Sequence, residues 1–140
     1  QAIGQAQLAA LAGEVPVGAV LVRDGKVISK AFNQPINHHD PSAHAEMLAL
    51  RAAAKAEENY RLPGSTLYVT LEPCTMCAGA ILHARVDRVV YGAPDPKTGA
   101  AGSVLDVFSS KQINHQTVVE GGIMGEECGH LLRSFFKERR

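Results

Sequence analysis

Two short clusters constrain this chain more than anything else in it: His44-Ala45-Glu46, and Pro73-Cys74-Thr75-Met76-Cys77 further along. Each stands where a helix is expected to begin, and each is chemically weak alone. A fold that uses both must bring two helix N-termini to one place. Cysteines at positions i and i+3 of a helix share a face, so the sulfurs of Cys74 and Cys77 can reach one ion. Free N–H groups and the positive dipole end of a first turn stabilise thiolates, the form that binds metal. Two thiolates and the neutral imidazole of His44 suit tetrahedral Zn²⁺. Three protein ligands leave a fourth position open to water, which is the catalytic pattern rather than the structural one. Glu46 points well away from His44 on the helix, which leaves it free as the acid and base of a hydrolytic site.

Other readings compete. A Cys-x-x-Cys that follows a strand and opens a helix also suits a thioredoxin-like redox pair, but that pattern has Trp before it and Gly-Pro inside it. This chain has Pro73 before and Thr75-Met76 inside. A closed structural zinc site needs a fourth ligand, for which Cys128 and His130 are the downstream candidates, and neither has a partner at finger-like spacing. His44 as a core histidine beside a surface Glu46 is the third alternative. The two halves together outweigh it.

The remaining segments supply elements to hold such a site. Gly18–Arg23 and Lys26–Phe32 are β-prone runs, and Asp24-Gly25 between them is a two-residue hairpin signal. A polar, turn-rich stretch at Asn33–Asp40 precedes a helix from Ser42 to about Glu57, with Asp40 as N-cap and Pro41 at its first position. Pro63-Gly64 marks a turn before the strand Thr66–Leu71. Pro73 opens a helix to about Ala84, and Arg88–Gly92 is a strand. The loop Ala93–Ser103, a short strand Thr117–Glu120 and a helix from about Met124 to Arg140 complete the chain. Strands alternating with helices predict an α/β layered sheet, which the hairpin makes mixed. Gln1–Ala12 reads as a helix entered partway.

The chain of 140 residues, 46% apolar and 20% charged, is expected to form one domain over residues 1–140. No run of about eighteen apolar residues occurs, so no membrane partner is expected. Three cysteines with two close together argue against a secreted disulfide framework and for a reducing compartment, the cytoplasm. The formal net charge of zero gives no global pull toward nucleic acid, so any RNA binding rests on a local basic patch.

The two clusters carry the H-x-E…P-C-x-x-C pattern of the zinc-dependent cytidine and deoxycytidylate deaminase superfamily. Beyond them, Glu14–Ala19, Asn33-Gln34-Pro35, Asp40–Glu46, Leu67–Cys74, Met76–Ala80 and Gly92–Ser103 make the chain resemble the bacterial tRNA-specific adenosine deaminases. The resemblance implies a three-layer α-β-α cytidine-deaminase-like fold with a mixed, about five-stranded central sheet. It implies one Zn²⁺ per chain on His44, Cys74 and Cys77, with Glu46 as the catalytic proton shuttle. It further implies deamination of adenosine to inosine at the wobble position of a tRNA anticodon stem-loop. Asn33 would hydrogen-bond the flipped nucleotide, and Val15 and Ala45 would line its pocket. Asp95 and Lys97 fall in the matching loop. Of the basic C-terminal residues Arg133, Lys137, Arg139 and Arg140, Arg139 joins Lys97 as a candidate phosphate or sugar contact. A homodimer is implied as well, with the small residues Ala78-Gly79-Ala80 permitting close helix approach. Cys128 reads as a small buried residue.

Overall fold

At the Asp24-Gly25 turn both residues have positive φ, 51° and 74°. A two-residue hairpin needs this backbone to match strand twist, and glycine adopts it freely. The turn joins β1 (Gly18–Arg23) and β2 (Lys26–Phe32) in antiparallel register, with Gly18 opposite Phe32. The computed structural model describes residues 1–139. It adds strands β3 (Thr66–Leu71), β4 (Arg88–Ala93) and β5 (Val118–Glu120). The sheet order is β2-β1-β3-β4-β5, antiparallel from β2 to β3 and parallel from β3 to β5.

Helices α1 (Ala2–Leu11) and α5 (Gly125–Glu138) pack on one face of the sheet. Helices α3 (Ala45–Glu57) and α4 (Thr75–His83) follow the short α2 (Pro35–His38) and cover the other face. These are the three layers expected, with a mixed sheet of five strands. The apolar stripe Ala45, Ala49, Leu50 and Ala53 of α3 meets Ile81 and Leu82 of α4 and Leu21, Leu67, Val69 and Val89 of the sheet in one core. On the opposite face α1 lies so close to β1 that a Cβ on Gly18 would stand 2.5 Å from the Ala6 nitrogen. Glycine there sets the distance between the layers.

Three boundaries differ from the sequence expectation, and two of them shape the site. Asp40 is not the cap of α3. Its carboxylate accepts from the Ser42 N–H (2.8 Å) and hydroxyl (2.7 Å), closing a local turn that competes with helix capping. The helix starts at Ala45 with His44 in extended backbone as its N-cap. Likewise Cys74, after Pro73, is the N-cap of α4, whose first residue is Thr75. The polar stretch after Asn33 contains α2, whose N-terminus is satisfied from a distance. The Glu14 carboxylate accepts from the N–H groups of Ile36 (3.2 Å) and Asn37 (2.8 Å). The last helix ends at Glu138; Arg140 lies outside the described residues.

Candidate active site

The N-termini of α3 and α4 meet beyond the C-terminal end of β3, where parallel-sheet folds place ligands. The His44 Nδ1 is 3.6 Å from the Cys74 Sγ and 3.5 Å from the Cys77 Sγ. All three ligand atoms fall within 4.8 Å of one another. An ion held tetrahedrally at about 2.3 Å from sulfur and 2.0–2.1 Å from nitrogen places N and S about 3.6 Å apart, so the spacing fits zinc.

The electrostatics of the three groups call for a cation. The hydrogen bond from the Cys77 thiol, with one from His44, holds the Cys74 thiol down at about 4. Cys74, now negative, and burial push the Cys77 thiol far up. Two adjacent sulfurs cannot both ionise unaided. A divalent ion between them removes that conflict, as the residue chemistry requires.

Glu46 sits one residue into α3 beyond Ala45 and is 4% exposed. Burial pushes its carboxyl up to about 7, against the pull of its own backbone N–H and of His44. A carboxyl poised there can hold or release a proton near neutrality. Glu46, His44 and Cys74 line a cavity of about 280 Å³, near the lower end of the roughly 300–1,000 Å³ usual for small-ligand sites. Val15 and Asn33 form one wall, and Asp95 and Thr98 another. The Asn33 N–H donates to the Val17 carbonyl (3.0 Å), which ties its backbone to the segment leading into β1. Ala45 is fully buried in the core between His44 and Glu46 and is not among the lining side chains.

A larger groove of about 780 Å³ shares Val15, Leu71, Asp95 and Thr98 with the cavity. Lys97, Arg133, Phe136 and Lys137 line it, so α5 gives the groove two cations and an exposed ring. Arg139 turns elsewhere: its guanidinium stacks 3.7 Å from the centroid of the buried Phe135 ring. Asp95 folds its own loop, its carboxylate accepting from the N–H groups of Lys97 (3.0 Å) and Thr98 (3.2 Å). Cys128 is buried against Gly92, away from the cluster.

Two carboxylates central to the architecture carried no role in the sequence reading. Glu14 caps α2, and Glu72, which also faces the cavity, holds the loop Ala93–Ser103. Both acids lie in quoted motifs, yet their partners are backbone N–H groups far along the chain, which no local spacing reveals.

Residues 1–93 match the family model described as the cytidine and deoxycytidylate deaminase zinc-binding region. The tRNA-specific adenosine deaminase of Haemophilus influenzae is 56% identical over 129 residues, 91% of this chain and 75% of that protein. The tRNA-specific adenosine deaminase of Bacillus subtilis is 49% identical over 140 residues, 100% of this chain and 87% of that protein. A solved structure from a study of A-to-I editing by tRNA:A34 deaminases at the wobble position of transfer RNA superposes with a TM-score of 0.90. It is 46% identical and covers 94% of this chain and 95% of its own. The chain belongs to the cytidine and deoxycytidylate deaminase zinc-binding family, and within it to the tRNA-specific adenosine deaminases.

Proposed function

We propose that this chain deaminates adenosine to inosine at the wobble position of a tRNA anticodon. The observation that carries this reading is a three-ligand cluster and a buried acid at the floor of a small cavity that continues into a groove bearing cations. His44, Cys74 and Cys77 hold the zinc, which when bound supplies Lewis acidity that lowers the pKa of a water to about 7. Glu46 takes a proton from the attacking water and delivers it to N1 of the adenine ring. It then passes a second proton to the amino group leaving C6, so that adenosine and water become inosine and ammonia. Asn33 hydrogen-bonds the extruded nucleotide, Val15 packs on it, and Ala45 fills the floor beneath.

The groove takes the flanking nucleotides. Lys97, Arg133 and Lys137 meet phosphates there, and Phe136 offers a stacking face. The walls of this RNA site include the Asp95 turn. An anticodon loop is already single-stranded, so extruding one base costs little. The same reading makes the protein a homodimer through the α4 region, where Ala78 is already packed in the core, Gly79 and Ala80 are half-buried and Met76 is exposed. It also puts the protein in the cytoplasm with its tRNA; among the described residues no helix is long and apolar enough to cross a membrane.

The test compares a synthetic anticodon stem-loop with free adenosine, cytosine and guanine. Inosine is expected from the stem-loop alone. Release of ammonia from a free base, with the stem-loop untouched, would overturn the reading.

A further inference from the structure

Glu72 is 2% exposed and carries no cation among its partners in the described residues. Its oxygens instead accept from the N–H groups of Asp95 (3.0 Å), Ala101 (2.9 Å) and Ser103 (3.1 Å) and from the Ser103 hydroxyl. A Cβ on Gly99 would run into this carboxylate, so the loop is wrapped closely around it. Asp95 and Thr98 of the same loop wall the cavity, and Pro94 to Thr98 line the adjoining groove. A buried acid with this many donors is costly to isolate and leaves no lone pair idle.

We propose that Glu72 is a positioning residue for the deamination: it fixes the loop Ala93–Ser103 at the height at which RNA is gripped. It does so without touching the reacting atoms. The inference rests on the RNA-editing reading above. Replacing the acid by its amide turns one acceptor into a donor aimed at N–H groups, so the loop must shift while the ligand cluster stays in place.

The test measures kcat and KM for the anticodon stem-loop, zinc content, and amide hydrogen exchange in wild type, Glu72→Gln and Ser103→Ala. For Glu72→Gln, KM is expected to rise roughly tenfold with kcat within about twofold. Zinc stays at wild-type content, and the Asp95, Ala101 and Ser103 amides exchange faster. Ser103→Ala removes an exposed donor without threatening the fold, and shifts KM the same way by less. It decides the question alone should Glu72→Gln not fold. An active wild type whose variants keep its KM sinks this proposal and leaves the functional reading intact. A fall in kcat at unchanged KM also sinks it, by placing Glu72 in the chemistry. A wild type that forms no inosine removes the functional reading and this inference together.

Discussion

Three thiols in one small protein occupy three different environments. Cys74 lies at a helix N-cap, half-buried, with its thiol held at about 4 by Cys77 and His44. Cys128 is buried on the other face, where desolvation pushes its thiol up. After chelation of the metal, alkylation at neutral pH is expected to label Cys74 first, ahead of the buried Cys77 and Cys128, read by mass spectrometry of timed samples. Equal rates would contradict these environments. Metal analysis of Cys74→Ala and Cys77→Ala is expected to show loss of zinc, whereas Cys128→Ala keeps about one per chain. The ligand identities were legible in the sequence because spacing and helix entry are local properties. Glu14 and Glu72 were not, because a buried carboxylate is defined by donors that only the fold brings to it.

At the level of elements, every strand announced itself through β-prone runs and turn residues, while the starts of α3 and α4 did not. Asp40-Pro41-Ser42 looks like a cap followed by a first turn, yet the carboxylate is consumed two residues on. The consequence reaches the site, because His44 then occupies the N-cap that faces Cys74. The hairpin was read correctly from Asp24-Gly25 because its positive φ values leave few alternatives. Gly25→Ala is expected to cost about 1 kcal/mol in chemical denaturation, since alanine disfavours that backbone. Gly18→Ala is expected to cost more, about 3 kcal/mol, because its neighbours across the layer are backbone atoms of α1 that cannot move aside. A Gly18→Ala protein as stable as wild type would contradict the close docking of α1 on β1.

Across the whole molecule, a formal net charge of zero conceals a groove with three cations at its rim. The sequence pointed to the C-terminal basic segment and singled out Arg139 in it, whereas the cations of that segment that line the groove are Arg133 and Lys137. Arg133 and Lys137 are four apart on one face, and the Arg139 guanidinium lies over the Phe135 ring. Removing Arg133 and Lys137 together is expected to weaken stem-loop binding and flatten its salt dependence. The slope falls by about 0.7 for each lost phosphate contact. Arg139→Ala is expected to leave that slope unchanged and to lower thermal stability. The reverse pattern would return Arg139 to the RNA surface.

The deamination depends on a separation of roles between the metal cluster and the buried acid. Zinc content and inosine formation measured on the same preparation of Glu46→Ala test it most directly. The expected result is about one zinc per chain, with inosine formation reduced by at least about 10²–10⁴-fold. A variant that keeps its zinc and the wild-type rate, or one that loses zinc along with activity, would contradict it.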